Sequence, residues 1–386
     1  MKLCAIQPEY PYTPDRADAA VEYLVDALGR CDESCDLILL PEYSNAPTVF
    51  PKGECIPYAK NHTDRLIRAA VDAARRCRAI VAVNYVAEIG GSFRNTTRVF
   101  DSRGNVAGDY YKQHLPVSET AVKMMDDAYT FGYLPPEIVE ADGIRLGFLT
   151  CYDCYFNEYI AHIAARKPDI VLVSSHQRSE RADILEMQVK NIAFNTNAFV
   201  LRASVAMGEG RDGGCSMVAG PDGRILAGFG QQIGMLSCEI GDPHRKYMRS
   251  NSFGGAMIPN DRFVEQGRTP WSYRACGSAV IPGDDKLPYP RVCAHRGFSA
   301  IAPENSLPAF GAAIALGATE IELDVWETKD GVPVVSHDPS VERTSNGTGS
   351  IREMTFAELR KLDFGARHAE AFAGLRIPAL NEGLGQ

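Results

Sequence analysis

Gly147-Phe148-Leu149-Thr150-Cys151-Tyr152-Asp153 decides the fold of the first two thirds of this 386-residue chain. The apolar residues up to Thr150 predict a buried strand, and a thiol stands where that strand ends. Short β-rich runs of this kind alternate with helical patterns, which predicts a layered α/β fold. The carboxyl ends of strands in α/β proteins are where reactive groups are presented, so Cys151 is a candidate functional residue.

The same alternation places the other elements of this region. Strands are predicted over Leu3–Gln7, Leu37–Leu40, Ile80–Val86, Leu146–Thr150, Ile170–Ser174, Phe199–Ala206, Ser216–Ala219 and Ile225–Phe229. Apolar residues at helical spacing predict helices over Ala17–Leu28, Thr63–Cys77 and Asp183–Asn195. Pro221-Asp222-Gly223 predicts a tight turn between the last two strands.

Composition restricts the class of function. A hydrophobic content of 45% with 23% charged residues is typical of a globular protein with a substantial core. The net charge of −9 argues against nucleic acid or an anionic membrane as partner. The sequence shows no apolar run of the ~20 residues that a membrane span needs, and none of signal-peptide length before Pro8. The eleven cysteines follow neither a zinc-binding nor a disulfide pattern, so we expect reduced thiols and a cytoplasmic protein.

Two other polar residues follow apolar or aromatic runs as Cys151 does. Leu39-Leu40-Pro41-Glu42 ends a strand with a carboxylate, and Tyr110-Tyr111-Lys112 places a lysine among aromatic residues. Taken singly, such residues are usually a solvated turn residue, a surface lysine and a small buried thiol. Together and in this order they resemble the nitrilase superfamily of carbon–nitrogen hydrolases. Further segments that match it are Ala5-Ile6-Gln7-Pro8, Lys112-Gln113-His114-Leu115 and the hairpin within Gly213–Gly230.

The resemblance implies a four-layer αββα sandwich that pairs into dimers or larger homo-oligomers and needs no cofactor. It implies that Cys151 attacks the carbon of a small-molecule amide, N-carbamoyl compound or nitrile. Glu42 would be the general base, and Lys112 would stabilise the negative charge that develops on the substrate. A thiol suits this step because its ordinary pKa of about 8.5 is low enough for ready deprotonation. We therefore expect alkylating reagents to label Cys151 before the other cysteines.

Many members of the superfamily carry a second glutamate after the lysine. Glu119 and Asp126 both stand in this part of the chain, so either could match that second glutamate. A third alternative is that no residue of this chain takes its role. After the nucleophile the superfamily commonly reads Phe-Pro-Glu, whereas Phe156-Asn157-Glu158 lacks the proline. Asp153 and Glu158 are predicted to be structural partners and not catalysts.

Between residues 260 and 290 prolines become frequent and periodicity fades. This predicts a linker or extended tail between one domain over residues 1–259 and another over residues 291–386. After it, β/α alternation resumes, and Thr355-Phe356-Ala357-Glu358 predicts a helix that opens with a capping box. The strands predicted here are Arg291–His295, Glu320–Val325 and Val332–Ser336, with a helix over Glu304–Leu316.

The C-terminal segment resembles the beginning of the glycerophosphodiester phosphodiesterase family. The motifs are Ala294-His295-Arg296-Gly297, Pro303-Glu304-Asn305-Ser306, Ile321-Glu322-Leu323-Asp324-Val325 and Val334-Val335-Ser336-His337-Asp338. The resemblance implies that His295 and His337 form an acid–base pair and that Arg296 contacts phosphate. It also implies a Ca²⁺ or Mg²⁺ site made by Glu304, Glu322 and Asp324. Glu322 and Asp324 are two apart on a predicted strand, so they are expected to share one face, which suits a hard cation.

Length argues against a complete second enzyme. A (β/α)₈ barrel takes about 250 residues, and fewer than half that number follow Pro290. We therefore expect an incomplete (β/α) barrel fragment with an incomplete metal site and no phosphodiesterase activity of its own. The leading hypothesis is an amidase-type hydrolase. The alternatives are a metal-dependent phosphodiesterase with an accessory hydrolase domain, and a non-catalytic scaffold.

Overall fold

The computed structural model describes residues 1–131, 138–250, 255–267 and 291–384. Residues 1–129 and 138–267 belong to one compact unit, and residues 291–384 belong to a second. No helix within the described ranges is both long and apolar enough to cross a lipid bilayer.

The first unit contains two six-stranded sheets. In chain order its elements are β1 (Lys2–Gln7), α1 (Ala17–Arg30), β2 (Leu37–Leu39), α2 (Cys55–Cys77), β3 (Ile80–Ile89), β4 (Ser92–Phe100), β5 (Val106–Tyr111), α3 (Val117–Ala121), β6 (Val139–Ala141), β7 (Ile144–Thr150), α4 (Asn157–Ala165), β8 (Ile170–Ser174), α5 (Ala182–Thr196), β9 (Phe199–Ala203), β10 (Met217–Ala219), β11 (Ile225–Gly228), β12 (Gly234–Glu239), β13 (Met248–Arg249), β14 (Ile258–Pro259) and α6 (Asn260–Gly267). The strand orders are β12-β1-β2-β3-β4-β5 and β11-β10-β9-β8-β7-β6. Strands β1, β2 and β3 are parallel to one another, as are β7, β8 and β9.

Alternating side chains on these strands build the four layers. In β1, Leu3 packs into a core shared with the second sheet, whereas Cys4 faces helices α1 and α2. In β7, Phe148 enters the shared core and Leu149 faces α4 and α5. This period of two leaves both faces of each sheet apolar, so each sheet is covered by its partner sheet and by a helical layer. The predicted αββα sandwich is confirmed.

Several predicted elements differ at their ends or were not predicted at all. Helix α2 begins at Cys55, eight residues before the predicted start. Its first two turns carry several polar residues, so the apolar spacing that predicts an amphipathic helix is weak there. The antiparallel strands β4, β5, β6 and β12 were not predicted, since their side chains mix polar and apolar types. The predicted turn at residues 221–223 is confirmed, with β10 and β11 paired on either side.

The first eight residues of the predicted linker form helix α6, so a linker beginning at residue 260 is wrong. The buried Asn260 side chain donates to the Phe194 carbonyl oxygen at 2.9 Å, and Asn197 donates to Asp261 at 2.6 Å. These bonds hold α6 against α5, and a count of prolines does not detect such pairing. Residues 268–290 of the predicted linker lie outside the described residues.

The second unit is built from short elements. They are β15 (Cys293–His295), α7 (Leu307–Ala315), β16 (Glu320–Glu322), β17 (Val325–Glu327), β18 (Pro333–Val335), α8 (Phe356–Leu359) and α9 (Leu380–Leu384). The capping box at Thr355 is confirmed: Glu358 N donates to the threonine hydroxyl at 3.3 Å and Thr355 N to the glutamate at 2.8 Å. Strand β15 pairs in parallel with β16, whereas β17 pairs in antiparallel fashion with β18. Among the described residues these are separate two-stranded sheets, in keeping with a barrel fragment.

Candidate active site

Cys151 stands at the turn that follows β7. Its backbone is left-handed, with φ of +50°, and it opens a short 3₁₀ turn over Cys151–Tyr155. A non-glycine residue in this conformation costs about 1–2 kcal/mol, so surrounding contacts must hold it. Cys151 is a half-buried residue, whereas Thr150 and Asp153 are buried. The turn therefore places the thiol beyond the end of the strand.

The Asp153 carboxylate fixes this turn. It accepts hydrogen bonds from Thr150 N at 2.8 Å, from the Tyr110 hydroxyl at 2.6 Å and from His114 N at 2.9 Å. The His114 ring nitrogen Nδ1 lies 2.8 Å from the same carboxylate. Because Tyr110 lies on β5 of the first sheet, Asp153 joins the Cys151 turn to the segment that carries Lys112. Its predicted structural role fits these contacts.

Lys112 is fully buried between two carboxylates. Its Nζ lies 2.8 Å from Glu42 Oε1 and 2.5 Å from Glu119 Oε1, and its side chain is 0% exposed. Asn95 Nδ2 donates to Glu42 Oε1 at 2.9 Å and to Glu119 Oε2 at 3.4 Å. The structure thus brings Glu42, Lys112 and Glu119 together.

Asp126 lies apart from this group. Its carboxylate accepts from Arg94 Nε at 2.9 Å, and its other oxygen accepts from Ala128 N at 3.0 Å. The guanidinium of Arg94 also lies over the rings of Tyr111 and Tyr129. Of the two candidate second carboxylates, only Glu119 contacts Lys112.

Burial and neighbouring charges determine which groups around Cys151 carry a proton at neutral pH. Burial alone would raise the pKa of Glu42, but the charges of Lys112 and Lys123 outweigh it and lower that pKa. For Lys112 the charges of Glu119 and Glu42 outweigh burial and raise its pKa. Burial, followed by the charge of Glu42, raises the pKa of the Cys151 thiol to about 12, against the charge of Lys112 and a hydrogen bond from the main chain of His176. At neutral pH the thiol is therefore protonated beside an ionised carboxylate.

Two side chains at this site, Lys123 and His176, were not predicted from the sequence. Lys123 Nζ lies 3.2 Å from the ring centre of Tyr43, the residue after Glu42. His176 follows β8, and its buried Nε2 has no hydrogen-bond partner among the described residues. Burial, followed by the charge of Lys123, lowers the pKa of His176 well below its ordinary value, so the ring is neutral. The position of His176 after a parallel strand was a usable signal, whereas nothing in the sequence singles out Lys123.

The C-terminal motif residues are arranged differently from the expectation. Strand β16 ends at Glu322 and β17 starts at Val325, so the expectation of a single strand through Glu322 and Asp324 is wrong. Both carboxylates nevertheless meet Arg296: its main-chain N donates to Glu322 at 3.2 Å, and its Nε lies 3.6 Å from Asp324. The strand is interrupted because its two halves pair with different partners, β15 and β18. In the described part of the chain, no group of three or more His, Cys, Asp or Glu side chains is placed to hold a metal ion.

Two arginines form ion pairs with Glu304, one of the three carboxylates that were expected to bind metal. Arg343 donates to both oxygens of Glu304, at 2.8 and 2.7 Å, and Arg296 donates to Oε1 at 3.1 Å. The hydrogen bond from Arg343 is the main reason that the pKa of Glu304 is lowered. As arranged, Glu304, Glu322 and Asp324 do not fit a Ca²⁺ or Mg²⁺ site.

The two predicted histidines lie in different surroundings. His337 Nδ1 is 2.6 Å from Asp338, and His337 lines a cavity together with Glu304 and Arg343. His295 Nε2 is 3.8 Å from Glu322, and His295 is not one of the residues that line this cavity.

Comparison with known proteins agrees with the two-part organisation. The family model "Carbon-nitrogen hydrolase" matches residues 3–241, more than half of the chain. The chain belongs to the carbon–nitrogen hydrolase family. A solved NitN amidase from a Nesterenkonia species is 22% identical, with a TM-score of 0.53 over 63% of this chain and 94% of that chain. A mutant of the Nesterenkonia amidase in complex with butyramide is 21% identical, with a TM-score of 0.53 over 69% and 93% of the two chains. At these identities the neighbours show that this carbon–nitrogen hydrolase has the nitrilase-superfamily fold.

The C-terminal residues match a second family model. "Glycerophosphoryl diester phosphodiesterase family" matches residues 295–385. A glycerophosphodiester phosphodiesterase of Caldanaerobacter subterraneus is 54% identical over 91 residues, which are 24% of this chain and 37% of that protein. Human glycerophosphodiester phosphodiesterase 1 is 45% identical over 95 residues, 29% of its length. This chain therefore spans only 29–37% of the length of these two curated relatives.

The raised pKa of Cys151 reverses the expectation that this thiol is labelled first. Below its pKa of about 12, the thiolate fraction of Cys151 rises tenfold with each pH unit, so alkylation by iodoacetamide should speed up about 100-fold from pH 7 to pH 9. At pH 7 the exposed Cys293 should be labelled before it. Peptide mass spectrometry of timed samples measures both rates, with Cys151→Ala as the assignment control. A Cys151 rate that levels off below pH 9 would show a resting thiolate instead.

Proposed function

We propose that the first unit hydrolyses the carbon–nitrogen bond of a small amide or N-carbamoyl compound, with nitriles as a further class, through a thioester on Cys151. The observation that carries the proposal is the buried Lys112 ammonium held between Glu42 and Glu119 beside the Cys151 turn. Membership of the carbon–nitrogen hydrolase family supports the bond type. The structural neighbours named as amidases favour amides among the three substrate classes.

The first half of the reaction forms the thioester. Glu42 is ionised and the thiol of Cys151 is protonated, so Glu42 takes the thiol proton as the sulfur attacks the substrate carbon. The carbonyl π electrons move to oxygen, and the Lys112 ammonium with the main-chain N–H after Cys151 stabilises that oxyanion. The C–N bond then breaks, and the amine leaves with the proton that Glu42 held.

The second half regenerates the enzyme. Glu42 accepts a proton from water as the water oxygen attacks the thioester carbon, and the tetrahedral oxyanion again meets Lys112. The C–S bond breaks, the sulfur regains the proton from Glu42, and a carboxylic acid is released. Glu119 holds Lys112 in position throughout, because its oxygen is 2.5 Å from the ammonium.

The central test is release of ammonia or amine from a panel of amides, carbamoyl compounds and nitriles. Cys151→Ala should abolish turnover of every substrate that the native chain cleaves, because no other group forms the thioester. The fold should persist, since the substitution removes a single sulfur atom from a half-buried residue. Circular dichroism and thermal melting check the fold. Native-level turnover by Cys151→Ala would refute the proposed nucleophile.

Glu119 and Asp126 provide a matched pair of carboxylates. Glu119→Gln should lower kcat about 10²-fold or more, because it removes one of the two charges that hold Lys112 at the oxyanion. Asp126→Asn should change kcat less than about threefold, since Asp126 contacts Arg94 and not Lys112. Steady-state kinetics on one amide decide between them. Equal losses in the two variants would mean that the site depends on the whole segment and not on the Glu119 contact.

For the second unit we propose that the described arrangement does not cleave glycerophosphodiesters with Ca²⁺ or Mg²⁺. The support is the pairing of Glu304 with Arg296 and Arg343, which compete with a cation for its oxygens. Glycerophosphocholine with either metal should therefore yield no glycerol 3-phosphate when it is incubated with this 386-residue chain. Metal-dependent release that disappears in His295→Ala would overturn this, and Arg343→Ala tests whether freeing Glu304 restores metal use.

A further inference from the structure

A groove on the first unit has no role in the reaction described above. It is separate from Lys112 and its carboxylates, and it carries two exposed guanidinium groups among aromatic and apolar side chains. The residues that line it include Tyr10, Tyr12, Val49, Arg178, Met207 and Arg211.

A row of aromatic rings joins the groove to the strand beside Cys151. Cys151 and His176 follow the parallel strands β7 and β8, whose ends pair at Thr150 and Ser174. The His176 ring meets the ring of Tyr10 edge-on, with centroids 5.8 Å apart, and Tyr10 meets Tyr12 edge-on at 5.1 Å. The three rings therefore lead from the end of β8 into the groove.

Arg178 and Arg211 contact the aromatic rings of Tyr10 and Tyr12 and form no ion pair with a carboxylate among the described residues. Arg178 Nη1 donates to the Tyr10 hydroxyl at 3.1 Å, and the Arg211 guanidinium lies 4.7 Å from the ring centre of Tyr12. Across the described ranges neither arginine has a carboxylate within ion-pair distance. Asp212 also lines the groove, so its three charged groups sum to a net positive charge. Stacking on a ring leaves the N–H edge of a guanidinium available, which is the edge that binds oxyanions in bidentate fashion.

Main-chain hydrogen bonds fasten the two segments that carry the arginines to each other. Gly213 N donates to the Glu180 carbonyl at 2.7 Å, and Gly214 N donates to the Gln177 carbonyl at 2.9 Å. Gly213 has φ of +89°, and a Cβ there would lie 2.5 Å from the Arg178 carbonyl carbon. Only glycine allows this approach, so the spacing of Arg178 and Arg211 is set before a ligand binds.

We propose that this groove binds a terminal oxyanion, a carboxylate or a phosphate, at the far end of an amide substrate whose scissile bond lies at Cys151. Arg178 and Arg211 bind the oxyanion, and the Tyr10 and Tyr12 rings line the intervening chain. This inference rests on the proposed amide hydrolysis and narrows it to one substrate class, amides with an anionic tail.

The experiment compares kcat/KM for three series of amides with matched chain length: neutral alkyl amides, ω-carboxyl monoamides and ω-phosphorylated amides. The anionic series should exceed the neutral one at least about tenfold through a lower KM, and the better of the two anionic series identifies the oxyanion. In Arg178→Gln/Arg211→Gln the ratio of anionic to neutral kcat/KM should fall at least about tenfold. Turnover of the neutral series by this variant shows that it is folded.

Arg68→Gln is the matched control for loss of an exposed positive charge, since Arg68 on α2 donates only to the Asp64 main-chain oxygen, at 3.1 Å. It should leave the ratio unchanged. A native enzyme that cleaves neutral and anionic amides equally well would overturn the inference and leave the proposed hydrolysis intact. A native enzyme that cleaves no amide in any series, but releases ammonia from carbamoyl compounds or nitriles, would instead refute the amide hydrolysis on which the inference rests. If Arg68→Gln lowered the ratio of anionic to neutral kcat/KM by the same factor, the preference would come from the overall charge of the protein and not from a site in the groove.

Discussion

A lysine ammonium with no exposed surface depends entirely on its neighbours. Transfer of an unpaired ammonium into a protein interior costs several kcal/mol even after relaxation, and loss of one partner from such a pair costs about 3–5 kcal/mol. Lys112 is stabilised there by two carboxylates, and Asn95 bonds to both of them. Glu42, Lys112 and Glu119 therefore fix one another's positions. The charges that act on the Cys151 thiol come from this ion cluster.

The two sheets contribute different parts of the site. Glu42 follows β2 and Lys112 follows β5, both in the first sheet, whereas Cys151 and His176 follow β7 and β8 of the second. The packing of one sheet on the other thus brings Glu42, Lys112 and the Cys151 turn together. Asp153 links the two sheets here, because its carboxylate accepts a hydrogen bond from the Tyr110 hydroxyl of the opposite sheet at 2.6 Å. A shift of one sheet against the other would lengthen this bond.

The sequence predicts those site residues that follow apolar strands. It does not predict positions that depend on a hydrogen-bond partner far away in the chain. Glu42 and Cys151 follow short, continuously apolar runs that are visible in the local sequence, so both were candidates before the fold was known. The choice between Glu119 and Asp126 depends on Arg94, which lies on β4, a strand that periodicity does not reveal. Glu322 and Asp324 look like one strand because local sequence carries no record of pairing with β15 or β18. Hydrogen-bond partners far along the chain, and not local propensity, account for these differences.

The ammonium of Lys123 is the weaker of the two cations beside Glu42 and Glu119. Burial lowers the pKa of Lys123, whereas for Lys112 the charges of the two carboxylates outweigh burial and raise the pKa. As pH rises, Lys123 therefore loses its proton first. Alkaline conditions then leave two carboxylates with one buried cation, so the electrostatic potential around Cys151 becomes more negative.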